Sequence, residues 1–470
     1  MAARSLFEKI WDQHIVRDLG GGLALLAIDR VFLHERTGSV ALKSLAAAGR
    51  SVVDPSRVFC TMDHIVDTVP GRGDATRMPG GEAFILETRA AAHAAGVRVF
   101  DVRDPLQGIV HVISPELGLV LPGATLVCPD SHTCTQGALG AFAWGIGSTE
   151  AEHALATGTL RVKRPRTLRI TVEGRLGAGV TAKDLALFIL ARHGAAGGEG
   201  GVVEYAGSAV RALSMEARLT LCNMATEFSA MTALIAADET TFDYLRGRPY
   251  APEGAAFDPA VASWHALRSD EDAVFDRELA IDAAEVSPMI TWGTSPQHAV
   301  AIDSRVPDAA SSGTTPEAHA RALRYMDVAV GQPLIGLPVT GAFIGSCTNS
   351  RLSDLRRAAG VLRGRQVAPG VRALCVPGSM SVKRAAEAEG LDRVFTEAGF
   401  EWRESGCSLC FFAGGESFGP RERVVSSTNR NFESRQGPET RTHIASPELV
   451  AASAIAGCLA DPRALPAGTG

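Results

Sequence analysis

The stretch GAFIGSCTNSRLSDL, Gly341 to Leu355, changes character twice along its length. An apolar run with β character ends near Ile344, a polar loop follows, and Leu352 then opens LSDLRRAAGVL, whose apolar residues recur at helical spacing. Strand, loop and helix in that order are the repeating unit of an α/β sheet. The order leaves Cys347 at the carboxyl end of a strand, where ligands bind in open parallel sheets.

The same rhythm extends through the chain. Further β-type runs are VRVFDV (97 to 102), TLVCPD (125 to 130), LRITVEG (168 to 174), ALCVPG (373 to 378) and RVVSST (423 to 428), with helical patterns between them. A helix is expected from Thr149, with Thr149 and Glu152 as a capping box before AEHALATGTL. The polar segment DSRVPDAASSGTT, 303 to 315, marks a surface loop or linker. These patterns predict an α/β fold of α/β/α layers with mainly parallel sheets.

The chain has 470 residues, 46% of them hydrophobic, which is enough for large cores and, by length, two to four domains. No apolar run approaches a membrane span, and the opening MAARSLFEKIWDQH carries Glu8 and Asp12 where a signal peptide would be apolar. A soluble, cytoplasmic protein without a membrane partner is therefore expected. The net charge is -6 and the basic residues are scattered, so no electrostatic footprint for nucleic acid is present. Local arginines are left for small anions.

Of nine cysteines, Cys60, Cys128, Cys222, Cys375 and Cys458 lie among apolar neighbours and read as core residues, with Cys134 less sharply defined. The odd count and the missing secretion signal argue against a disulfide framework. Cys407 and Cys410, in SGCSLCFFAGG, and Cys347 occupy polar or Gly-bounded loops. Three chemistries suit that trio. A thioredoxin-like pair would ignore Cys347, and a structural zinc would need a histidine to complete it. A 4Fe-4S cluster with three protein thiolates would keep one iron open to substrate or water.

A second constellation of residues suits proton transfer. TMDHIVDT offers Asp63 and His64, GIVHVISPE offers His111, PDSHTCT offers Asp130, Ser131 and His132, and GGVVEYAG offers Glu204. A carboxylate beside a histidine orients the ring and raises its basicity, although any one of these histidines alone would read as structural. SSTNRNFESRQG places Arg430 and Arg435 five apart, suited to gripping carboxylates or to lying solvated on the surface. GALGAFAWGIG and GAAGGEGGVVEY lack the order of a nucleotide loop and read as tight turns and close packing.

Taken together, DHIVDT, GIVHVISPELG, PDSHTCTQGALGAFAWGIGSTEAEHALATGTL, FIGSCTNSRLSDLR, VPGSMSVKRAAEAEGLDRVFTEAGFEWRESGCSLC and STNRNFESRQG resemble the aconitase superfamily. Within it, they are most similar to the large subunits of the isopropylmalate isomerases. The resemblance runs from about Leu6 to Arg463.

The resemblance implies three α/β/α domains, 1-166, 167-284 and 285-470, around a 4Fe-4S cluster held by Cys347, Cys407 and Cys410. It implies a hydro-lyase that removes and restores water on a 2-hydroxy dicarboxylate substrate. Asp63 with His64 would protonate the departing hydroxyl. His111 with Asp130, and His132 with Glu204, would be supporting pairs, and Ser131, Arg430 and Arg435 would bind substrate. In this family the base is a serine on a swivelling domain. That domain is expected here on a separate small subunit, because the sequence ends soon after SPELVAASAIAGCL.

Two departures bear on substrate. The family's SPQAF is replaced by GSVAL, with Val40 in place of glutamine, and LAMN after the last cluster cysteine is replaced by FFAGG, Phe411 to Gly415. A valine cannot make an amide's hydrogen bond, so a relative acting on citramalate, dimethylmalate, homocitrate or another alkylmalate stays open. An RNA-binding, iron-dependent regulator is the alternative of a different class, and the mild acidity argues against it.

Overall fold

The structure is a computed structural model and describes residues 3–465. Three all-parallel sheets carry the architecture. The first orders its strands Arg98–Phe100, Val58–Thr61, Arg30–His34, Thr125–Cys128 and Phe142–Gly145. In the second the order is Thr232–Leu234, Val202–Ala206, Thr167–Glu173 and Arg277–Asp282. The third runs Phe400–Trp402, Arg372–Cys375, Gly341–Ile344, Arg423–Ser426 and Arg441–Ile444. Among the described residues, antiparallel strands pair in two small sheets, one built on Ile15–Gly20, Leu23–Ala27 and Thr159–Lys163, the other on Met289–Thr291 and Ala299–Ala301, besides a few isolated bridges.

The strands read as unbroken apolar runs because they are buried on both faces. Val58–Thr61, Thr125–Cys128, Gly341–Ile344 and Arg423–Ser426 are buried at every position. The helix expected at Leu352 spans Leu352–Leu362. The one expected from Thr149 starts a residue earlier, as Ser148–Thr157. Its cap is Gly147, whose N–H donates to Glu150 at 2.9 Å, while Glu152 accepts from Ser44 at 2.7 Å. The carboxylate that returns to the cap is set by the true start of the helix, so a boundary error of a residue or two moves the whole box.

Strand order places the site. In the first sheet the order reverses between Arg30–His34 and Thr125–Cys128, and in the third between Gly341–Ile344 and Arg423–Ser426. Crevices open beyond the carboxyl ends of strands at such reversals. His34 and Asp130 stand at the first crevice, Cys347 and Asn429 at the third. The two sheets are stitched together there: the Cys407 N–H donates to the Asp63 carbonyl at 2.8 Å, Ile109 N–H to Gly378 at 2.8 Å, and Met380 N–H to Gln107 at 2.8 Å. The second sheet shares a hydrophobic core with the first, through Phe32, Leu126, Ile170 and Val203 among others. Packing between them is tight at Gly137, in the 3-10 segment Ser131–Leu139, where a Cβ would stand 1.6 Å from the Ala233 carbonyl oxygen. No helix among the described residues is long and apolar enough to cross a membrane.

Candidate functional site

A cavity of about 470 Å³ opens between the first and third sheets, lined by His64, His111, Asp130, Ser131, His132, the three loop cysteines, Arg430 and Arg435. Asp130 is its hub. It caps the 3-10 segment Ser131–Leu139, accepting from the His132 N–H at 2.7 Å. Its carboxylate also pairs with His111 Nε2 at 2.9 Å and His64 Nε2 at 3.1 Å. Burial alone would raise this carboxyl, but His111, His132 and His64 together hold it well below the ordinary carboxylate range.

His64 lies between two carboxylates, with Nδ1 2.6 Å from Asp63 and Nε2 on Asp130. Desolvation works against its charge, yet Asp63 and Asp130 overcome it and push the imidazole well above 6.5. Asp63 is fully buried, and its other oxygen accepts from the Val110 N–H at 2.8 Å, which ties the pair to the start of the helix Val110–Glu116. That helix carries His111, whose Nδ1 is 3.3 Å from the amide of Gln136. If the amide donates there, Nε2 keeps its proton for Asp130. The loop bearing Asp63 and His64 is gripped from beneath by Glu35, whose buried carboxylate accepts from the N–H groups of Asp63 at 2.9 Å, Ile65 at 2.5 Å and Val66 at 3.2 Å.

The expected partnership of His132 with Glu204 is not what the chain forms. His132 Nε2 meets Glu227 at 3.0 Å, and Glu227 also takes Arg430 Nε at 2.7 Å. Glu204 sits within the strand Val202–Ala206 and its carboxylate turns away to Ser269, 2.7 Å from one oxygen and 2.8 Å from the other. Burial pushes its carboxyl up to about 7, partly offset by Ser269. Glu227 belongs to the short 3-10 segment Met224–Phe228, and only the packing of that segment against the cavity reveals it. The only hint in the sequence was a carboxylate four residues after Asn223 at a helix end.

Cys347, Cys407 and Cys410 are buried and unbridged, and all three line this cavity. N–H donors point at their sulfurs: Asn223 Nδ2 at 3.2 Å and Asn429 Nδ2 at 3.4 Å from Cys347, and Arg435 Nη2 at 3.7 Å from Cys410. Such donors favour a thiolate over a thiol. Burial nevertheless pushes Cys347 up to about 12, and Cys407 well above the usual thiol value, so a cation must replace those protons before the sulfurs ionise. A redox pair needs the opposite, a depressed thiol at a helix N-terminus. Zinc fits poorly too. Zn–S bonds of about 2.3 Å would bring three sulfurs within roughly 4 Å of one another, yet among the described residues the group whose ligand atoms all lie within 4.8 Å is His34, Glu35, Asp63 and His64, not the cysteines. A cluster, whose thiolates sit on different corners, suits that wider spacing. The backbone is unusual here too: Ser346 and Ser408, beside Cys347 and Cys407, have φ of 81° and 44°, a region L-residues seldom occupy.

Of the two departures, only one reaches the cavity. Val40 is exposed, on the helix Gly38–Ala47, and does not line it. Phe411 does, with its ring held between Arg36 at 4.9 Å and Arg435 at 4.8 Å.

The profile of the aconitase family (aconitate hydratase) matches residues 8–457. The 3-isopropylmalate dehydratase large subunit 1 of Bradyrhizobium diazoefficiens is 53% identical over 464 residues, 98% of this chain and 97% of that one. The 3-isopropylmalate dehydratase large subunit of Roseiflexus castenholzii is 50% identical over 472 residues, 98% of this chain and 99% of its own. Thermococcus kodakaraensis aconitase X, in its holo-form, aligns over 90% of this chain and 87% of that one with a TM-score of 0.44 and 13% identity. With its length matched almost end to end and half its residues shared with such relatives, the chain belongs to the aconitase family.

Proposed function

We propose that the chain is the cluster-bearing large subunit of a hydro-lyase that interconverts 2-isopropylmalate and 3-isopropylmalate by dehydration and rehydration, a step of leucine biosynthesis. The observation that carries this is the convergence of three buried cysteines with the Asp63–His64–Asp130–His111 network on one cavity. When bound, a 4Fe-4S cluster on Cys347, Cys407 and Cys410 supplies Lewis-acid assistance to the loss of hydroxide.

The chain's own residues supply protons and orientation. His64, kept protonated at neutral pH by Asp63 and Asp130, holds the proton that a departing hydroxyl needs. Asp130 keeps the rings of His64 and His111 aimed into the cavity. Glu227 takes the supporting place first given to Glu204, fixing His132 and Arg430 together. Arg430 and Arg435 face the cavity as carboxylate anchors, and Ser131 at its mouth offers a hydroxyl. A separate small subunit would bring the swivelling domain and the base. Domain limits at 1-166, 167-284 and 285-470 accord with the three sheets, whose strands fall within those spans. A cytoplasmic setting accords with reduced, buried thiols.

A second reading within the same chemistry is favoured by Phe411 and Arg36. They narrow one wall of the cavity and would suit a substituent other than isopropyl on the diacid. Anaerobic reconstitution with the small subunit, followed by hydration assays across a panel of alkylmaleates, separates the two. Full turnover of the isopropyl substrate supports the first reading, and its absence beside turnover of another diacid supports the second. No turnover of any diacid by an iron-loaded pair overturns both.

A further inference from the structure

Lys183 is completely buried, on the first turn of the helix Ala182–His193 in the second sheet's layer. Its ammonium donates to the Ser427 carbonyl at 2.9 Å, the Thr428 carbonyl at 2.7 Å and Asn349 Oδ1 at 3.1 Å. Among the described residues no carboxylate oxygen lies within 4.0 Å of it. Burying a cation is unfavourable: desolvation pushes this ammonium down to about 7, opposed by Asp354 and then by the Cys347 and Cys410 sulfurs, so nearby negative charge is what keeps it charged.

The surroundings show which charge that is. Asn349 lies two residues beyond Cys347, and Ser427 and Thr428 lead directly into Asn429, whose amide points at the Cys347 sulfur at 3.4 Å. Thr220 links the same network, donating to the Thr348 carbonyl at 2.9 Å and accepting from Asn349 at 3.2 Å. Asn349 also donates to Asp354 at 2.9 Å, the carboxylate whose charge does most to offset the burial of the ammonium. Lys183 thus fastens the loop that carries Cys347 to the loop that carries its donor Asn429, with an amine nitrogen on the protein side of the site whose charge a negative cluster would favour.

We propose that Lys183 is a positioning residue that acts as the built-in counter-cation of the iron-sulfur cluster: its charge, fixed behind the Cys347 and Asn429 loops, offsets the negative charge that three thiolates bring and favours the more reduced cluster. This rests on the cluster assignment made above. Net charge and hydrogen bonding near the sulfurs are what set a cluster's potential.

The test compares the anaerobically purified, reconstituted chain with Lys183→Gln, which can still donate to the carbonyls but carries no charge. Iron and sulfide are measured first, and a wild-type chain that binds neither rejects the cluster assignment itself, separately from this inference. With cluster present, Lys183→Gln is expected to shift its reduction potential to more negative values and to shorten its lifetime in air severalfold. The cluster-free chain should melt no lower than wild type, because an unanswered buried charge has been removed. An unchanged potential and lifetime in Lys183→Gln, or melting lowered equally with and without cluster, overturns the proposal. Should the glutamine chain fail to fold, Lys183→Arg keeps the charge and alters the shape: a wild-type potential there supports the electrostatic role, and a shifted one overturns it.

Discussion

His34 and His64 stack ring on ring, centroids 4.1 Å apart and planes 21° from parallel, yet their surroundings push them in opposite directions. Burial and the neighbouring His64 push His34 down to about 4, whereas Asp63 and Asp130 lift His64 well above 6.5 against the cost of its burial. Two imidazolium rings cannot share a face in a buried site, so the carboxylates decide which of them holds the proton.

That division predicts a pH profile. With His64 as proton donor, turnover of the reconstituted enzyme should hold across neutral pH and fall on the alkaline side, as pH rises through the raised value of His64. His64→Asn should lower kcat on the order of 10²- to 10⁴-fold, the usual range for a lost general acid, with KM little changed. A pH series of initial rates on both forms checks this, and a variant as fast as wild type contradicts it. The sign for stability is parallel: a histidine raised in the folded state stabilises most below its unfolded value near 6.5 and loses that contribution as pH climbs.

Glu227 and Glu204 should part company on mutation. Glu227→Gln loosens both His132 and Arg430 and is expected to cut kcat/KM by tenfold or more. Glu204→Gln should leave turnover at the wild-type level. Because the Glu204 carboxyl is raised to about 7, it is neutral in the folded chain at low pH, and stability is lost as pH rises from the unfolded value of about 4.5 through 7. Glu204→Gln should recover up to roughly 3 kcal/mol above pH 7 and nothing below pH 4. Denaturant melts at two pH values measure it.

Each thiol is expected to be indispensable to the cofactor. Cys347→Ser, Cys407→Ser and Cys410→Ser should each lose most of the bound iron and sulfide under anaerobic reconstitution. Cys134→Ser should keep both, since the Cys134 sulfur is buried with backbone carbonyls, the nearer being Asn223 at 3.7 Å. Elemental and sulfide analysis decides the matter, and zinc at one equivalent with no sulfide would restore the structural-zinc alternative.

Glu35 is predicted to matter for stability more than for chemistry. Removing a buried acceptor of three backbone N–H groups leaves those donors unpaired, so Glu35→Ala should cost about 2–4 kcal/mol and disorder the Asp63–His64 loop. Glu35→Gln, which keeps one acceptor oxygen, should cost less. Urea melts of the two variants give the ordering, and equal midpoints would contradict it.

How much of this was legible beforehand follows from what each feature depends on. The parallel strands were readable because burial on both faces leaves an apolar run in the sequence, as at Gly341–Ile344 and Arg423–Ser426. The cavity residues were readable where they sit at strand ends, as Asp130 and Cys347 do, since strand ends are where α/β sheets place their chemistry. Glu227 was not. Its partnership with His132 joins residues far apart in the chain, on two 3-10 segments that only the tertiary fold brings together. The family resemblance pointed to Glu204 instead, but a matching motif does not say toward which neighbour a side chain will turn. The left-handed Ser346 and Ser408 were equally invisible, because nothing in a serine announces that conformation.

The stitching of the first and third sheets has a consequence for how the protein comes into being. Asp63 leaves the ribosome long before Cys407, whose N–H it must eventually accept, and Arg435 follows later still. Nascent chains therefore carry half a pocket, with their early histidines and carboxylates unmatched, through most of translation. If Cys347, Cys407 and Cys410 hold a cluster as proposed, its iron and sulfide could be installed only at the close of synthesis, so any cellular machinery that delivers them would meet a nearly finished polypeptide.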